Sequence, residues 1–252
     1  MSLSDTGAGL PVAFQHGLGA DQAQCAEAFP QRAGLRRITL ECPANARRPF
    51  SIAGFAGDVL EACDALGVRR FVAGGISMGA AIALHLAVYA PDRVIALALV
   101  RTAWLWQAAP PTMRPYAEVA AALRAHGPAN GRLEFINSAG AQRIARVAPD
   151  NYVSLLSFFQ RADASGTADL LADIAADGPG VTQDQAATLR LPALVIGQTQ
   201  DDVHPIALAR ELARAIPGAV FAEVAPKGID KARHLAELHD RLGAFLLGIA
   251  AA

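Results

Sequence analysis

Short apolar runs alternate along the chain with longer stretches whose apolar positions recur at helical spacing. This is the pattern of a largely parallel sheet covered by helices on both faces. The runs PVAFQ (11–15), RRITLE (36–41), RRFVAGGI (69–76), RVIALALV (93–100), PALVIG (192–197) and AVFAEV (219–224) predict six strands. Helices are predicted near 21–30, 52–66, 78–90, 205–216 and 234–249, with start signals around Asp21 and Ser51 and a stop at Gly67. The expected fold class is therefore α/β, a mostly parallel sheet of about six strands flanked by helices. From Thr102 to about Arg190 the alternation stops, leaving only helical patterns separated by PPTMRP, HGPANG and ADGPG. A structureless loop of that length is foreign to a compact domain. The pattern predicts a helical lid insertion over 102–190, set into a core formed by 1–101 and 191–252.

Composition narrows the partners. Of 252 residues, 53% are hydrophobic and 18% charged, with a net charge of −1 and no basic run. An extensive core is implied, and nothing favours nucleic acid. No apolar run reaches the roughly 20 residues that span a bilayer, and MSLSDTGAGL has neither the basic nor the apolar region of a secretory signal. Cys25, Cys42 and Cys63 form no zinc-type spacing, and the six histidines form no cluster of metal-ligating spacing. The expectation is a cytoplasmic protein acting on a small molecule, with no metal, cofactor, nucleic acid or membrane. Oligomeric state leaves no mark on the sequence.

The segment FVAGGISMGAAIALHLAV interrupts an apolar strand-to-helix passage with Ser77 between Gly75 and Gly79. A serine there can cap the following helix. Capping, however, requires no flanking glycines, whereas a G-x-S-x-G turn between strand and helix holds its serine in a strained, exposed conformation suited to a nucleophile. The first predicted strand runs into His16-Gly17-Leu18-Gly19, where glycines let the backbone pass close to a ligand. The Leu18 and Met78 N–H groups would then form a two-donor oxyanion hole. His16 and Gly17 join the predicted substrate-binding set.

With these motifs the chain resembles the α/β-hydrolase superfamily: HGLG, GISMG, a helical insertion, VIGQTQDDVHP and a late histidine come in the family's order. The resemblance implies an eight-stranded sheet, of which the first two strands look absent here. Pro43-Ala44-Asn45-Ala46-Arg47-Arg48 also departs from the glycine- and histidine-containing turn of many members. It further implies an acid and a base. Asp201, four residues before Pro205, occupies the family's acid loop, with Asp202 its rival; Arg101 and Thr102 stand at the alternative acid position, where neither can serve. Family members place Gly-His after the last strand, but Gly228-Ile229 stands here, so the base falls to His234, with His239 behind it. His204 is assigned to the pocket edge and His85 to helix packing.

Trp104 and Trp106 leave the fourth strand at the edge carrying Ser77, either to line an apolar substrate pocket or to hold the lid to the core. Tyr116, Phe135, Phe158 and Phe159 lie further along the same insertion. The activity implied is a serine hydrolase cleaving an ester, thioester or lactone of a small apolar substrate through an acyl-enzyme. Carbon–carbon bond hydrolysis is a variant that the family performs with the same residues. The alternative is a ligand-binding or sensory protein that has lost turnover with its histidine.

Overall fold

A computed structural model of the chain describes residues 2–42 and 49–251. Its strands are β1 (Leu3–Gly7), β2 (Gly9–Gln15), β3 (Gly34–Leu40), β4 (Phe71–Ile76), β5 (Val94–Val100), β6 (Ala193–Gly197) and β7 (Val220–Glu223). The helices are α1 (Gln22–Ala28), α2 (Ile52–Ala65), α3 (Met78–Tyr89), α4 (Arg114–Asn137), α5 (Ala139–Val147), α6 (Pro149–Ser157), α7 (Ala164–Ala176), α8 (Gln183–Thr188), α9 (Ile206–Ala215) and α10 (Lys231–Ala250). The seven strands form one sheet in the order β1-β3-β2-β4-β5-β6-β7, with β1 antiparallel to β3 and every other pair parallel.

All six predicted strands are present, and β1 is an addition. Its sequence LSDTG is polar and largely exposed because it forms an antiparallel edge, so no apolar run announces it. The expectation that both of the family's first strands are absent is thus corrected by one strand. The PANARR segment lies outside the described residues.

In β4 and β5 successive side chains enter opposite faces of the sheet. Phe71, Ala73, Leu97 and Leu99 pack with Ile52, Phe55 and Ile82 of α2 and α3, whereas Val72, Ala96 and Ala98 pack with Leu238, Leu242 and Leu246 of α10. Burial on both faces explains why these strands read as continuous apolar runs.

Between β5 and β6 the chain is helical, as its pattern predicts. Gly127 (φ 69°) breaks α4 just before Pro128, at HGPANG: the ring removes a donor and the glycine takes the left-handed turn. Asp177 ties the segment to the start of α2, its carboxylate accepting from Ile52 N–H at 2.7 Å, while its carbonyl accepts from Trp104 Nε1 within the same segment at 3.0 Å. Among the described residues no helix is long and apolar enough to cross a membrane.

Strand order reverses between β2 and β4, which pair in register with Gln15 opposite Gly75. The HGLG loop and Ser77 therefore emerge side by side at the carboxyl ends of the strands, where open α/β sheets form their binding crevice.

Candidate active site

Ser77 sits between β4 and α3 with φ 56° and ψ −107°, a left-handed conformation rare for a side-chain-bearing residue. A Cβ on Gly75 or Gly79 would collide with the Gln15 carbonyl of the neighbouring strand, so the two glycines permit the sheet to approach the turn. Ser77 makes no side-chain capping bond to α3; its N–H donates to the Val100 carbonyl at 2.9 Å. The hydroxyl is left for another partner.

That partner is His204. Its Nε2 lies 2.8 Å from Ser77 Oγ, and its Nδ1 lies 2.8 Å from Asp201 Oδ1. An ionised carboxylate only accepts, so Nδ1 carries the proton and Nε2 accepts from the serine hydroxyl. His234, expected at this place, is elsewhere: its Nδ1–H donates to the Ala225 carbonyl at 2.9 Å, closing the first turn of α10 onto the loop before it. The distance along α10 also defeats His239, whose Nε2 meets the Glu27 carbonyl at 2.7 Å. His85 bonds the Pro179 carbonyl through Nδ1.

Asp201 is fully engaged. Oδ1 accepts from both the backbone N–H (3.1 Å) and Nδ1 of His204, a turn closed within Asp201-Asp202-Val203-His204. Oδ2 accepts from Arg101 Nε (2.7 Å), Arg101 Nη2 (2.6 Å) and Gln198 Nε2 (3.0 Å). Burial alone would raise the carboxyl pKa, but the Arg101 guanidinium and then His204 outweigh it and hold Asp201 well below the usual carboxylate range. Burial dominates at His204 and lowers its pKa from the ordinary imidazole value, against the pull of Asp201. Asp202 turns away to pair with Arg143 of α5, while its N–H donates to Asn151 Oδ1 at 2.9 Å.

The Leu18 and Met78 N–H groups have no acceptor among the described residues. Gln24 Oε1 accepts from Gly17 N–H at 2.8 Å and steadies the loop carrying Leu18. His16 lies beneath that loop, wholly buried, with Nδ1–H donating to the Gly17 carbonyl and Nε2 accepting from Cys42 N–H. It orders the turn and does not line the cavity.

The cavity over Ser77, of about 250 Å³, is lined by Gly17, Leu18, Tyr116 and Phe158, and by polar Arg101, Asp150, Asn151, Ser154, Ser157 and Lys227 among others. Neither tryptophan reaches it. Trp104 is buried in the core, and Trp106 lines a separate depression with Pro110, Pro111 and Leu208, because the chain leaving β5 turns away from the elbow after Thr102. Phe135 and Phe159 pack on one another, ring centroids 5.8 Å apart. The wall is accordingly more polar than the insertion's aromatics suggest.

The signal for His204 was short-range: Asp-x-x-His before Pro205, on a loop leaving the strand after the elbow's neighbour. Three residues of spacing let one carboxylate bind both the backbone and the ring of the same histidine. Arg101 left no such trace, since its partner is 100 residues away.

The model of the alpha/beta hydrolase fold matches residues 12–238. A relative in Klebsiella pneumoniae subsp. pneumoniae, named "Putative carbamate hydrolase RutD", is 31% identical over 181 residues, 69% of this chain and 65% of its own length. The chain's match thus spans slightly under two thirds of that relative. Among solved structures, the enol-lactonase from Burkholderia xenovorans LB400 is similar, with a TM-score of 0.65, 25% identity, and 99% and 95% of the two chains covered. A thermophilic esterase from Thermogutta terrifontis shares the fold with a TM-score of 0.69 at 23% identity, covering 99% of this chain and 91% of its own.

Proposed function

The chain belongs to the alpha/beta hydrolase fold family, and on that premise we propose that it is a serine hydrolase whose triad is Ser77, His204 and Asp201. The observation that carries this reading is the unbroken pair of 2.8 Å contacts from Ser77 Oγ through the His204 ring to Asp201. Ser77 Oγ attacks the substrate carbonyl while His204 Nε2 takes its proton. The Leu18 and Met78 N–H groups receive the negative charge that develops on the carbonyl oxygen. Asp201 holds the proton on Nδ1 and stabilises the imidazolium once it forms, and Arg101 keeps Asp201 ionised. His204 then protonates the leaving group, and water, activated by the same nitrogen, releases the acyl group and restores Ser77.

Esters, thioesters and lactones are the substrates in view, with carbon–carbon hydrolysis as the variant; the name of the Klebsiella relative adds carbamates. A cavity of about 250 Å³ with polar walls favours a small, polar substrate over the apolar one expected from the tryptophans. The helices from α4 to α8 act as the lid, since Tyr116, Asp150 and Phe158 reach the cavity from that segment. The ligand-binding alternative rested on the missing base after Gly228; a histidine in contact with Ser77 removes that support.

Labelling with a fluorophosphonate tests the assignment. Wild type should label rapidly, Ser77→Ala not at all and His204→Ala only slowly, while His234→Ala should label at close to the wild-type rate. An unreactive, folded wild type would sink the hydrolase reading. Slow labelling of His234→Ala with rapid labelling of His204→Ala would return the base to His234.

A further inference from the structure

The loop 224–230, between β7 and α10, is where family resemblance puts the base, and Gly228 and Ile229 stand there instead, Ile229 70% exposed. What this loop sends into the Ser77 cavity is Lys227. Its N–H donates to Gln198 Oε1 at 3.2 Å, and the same Gln198 holds Asp201, so the lysine backbone is fixed to the acid loop.

The side chain is half-buried, yet among the described residues no carboxylate lies within ion-pairing distance of its ammonium. Arg101, the other cation on the wall, is already engaged by Asp201. Asp150, the acid that remains, lies 3.9 Å from Arg101 Nη2 and has a buried, unpartnered Oδ1 beside Gly228. Burial, then repulsion from Arg101, lower the Lys227 pKa, and Asp150 opposes this only in part. A desolvated cation that Asp150 compensates only in part, with no carboxylate in ion-pair contact, is costly, and an anion entering the cavity would reduce that cost.

Resting on the serine-hydrolase reading, we propose that Lys227 binds a carboxylate carried by the substrate, so that the preferred substrates are small acyl compounds bearing a free carboxylate besides the bond that is cleaved. Withdrawal of the base to His204 leaves the loop after β7 free to supply this contact.

Two measurements test it. In the first, kcat/KM is compared for p-nitrophenyl acetate and p-nitrophenyl hydrogen succinate in wild type, Lys227→Met and Lys227→Arg. The ratio favouring the succinate ester should fall about tenfold in Lys227→Met and survive in Lys227→Arg. In the second, succinate is titrated calorimetrically into Ser77→Ala and into Ser77→Ala/Lys227→Met, with binding expected only in the former. Equal loss for both esters, or no change in the ratio, together with succinate binding that ignores Lys227, would overturn the proposal. Absence of all turnover, with succinate binding that still depends on Lys227, would instead overturn the hydrolase reading and leave the carboxylate site standing.

Discussion

The loops that follow β6 and β7 leave neighbouring strands at the same edge of the sheet, and each leads to a histidine that could be read as the base. In the first, residues 198–205, Asp201 and His204 face one another across three positions, and the ring is aimed outward at the serine. In the second, His234 lies a turn inside α10, and its Nδ1–H is spent on Ala225. A histidine bound at both ring nitrogens by acid and nucleophile is a relay; one committed to its own loop is a staple. Under the proposed assignment the base has left its customary loop, and what it requires is an imidazole that reaches the serine with its other nitrogen held by a carboxylate.

The sharpest way to break this contrast is to exchange the two histidines' fates. His204→Ala should lower kcat for an activated ester by about 10⁴-fold or more, as loss of a triad member does. His234→Ala should remain within about tenfold of wild type and should lower the thermal unfolding midpoint, having lost a buried hydrogen bond. Comparable losses of kcat in both would erase the distinction.

The next effect concerns what stands behind the relay. Arg101→Met leaves the buried Asp201 charge without its guanidinium and should destabilise the fold by about 3–5 kcal/mol in urea unfolding, whereas a substitution at the exposed Arg233 should leave the unfolding midpoint nearly unchanged. Gly79→Ala drives a methyl group into the Gln15 carbonyl and should cost about 1–3 kcal/mol by the same measurement, with loss of fluorophosphonate labelling as the elbow shifts.

The smallest effect is in pH. The base works when neutral, and burial lowers the His204 pKa from 6.5, so the acid limb of kcat/KM should lie below pH 6.5 and activity should persist through it. A limb above 6.5 would mean that the imidazole is less desolvated than its burial indicates.

Much of the molecule is legible along the chain. Strands β4, β5 and β6 are continuous apolar runs because both faces of the sheet are covered there, and the elbow is legible because G-x-S-x-G needs both glycines against Gln15. The polar edge strand β1 escapes the same reading, since exposure on an edge removes its apolar signal. The tryptophans mislead for a different reason: aromatic content says that a side chain is buried, but not against which surface.

Sequence alone therefore determined the α/β layering, the helical interval after β5, the strained serine and the Asp201 loop, all of which follow from local periodicity and contacts a few residues apart. The tertiary structure decided which histidine meets Ser77, that Arg101 holds Asp201, and that the cavity wall carries Lys227 in place of Trp104 and Trp106. Those are contacts between segments about 100 residues or more apart in several cases. Their geometry comes from the packing of the sheet edge, which no single segment encodes.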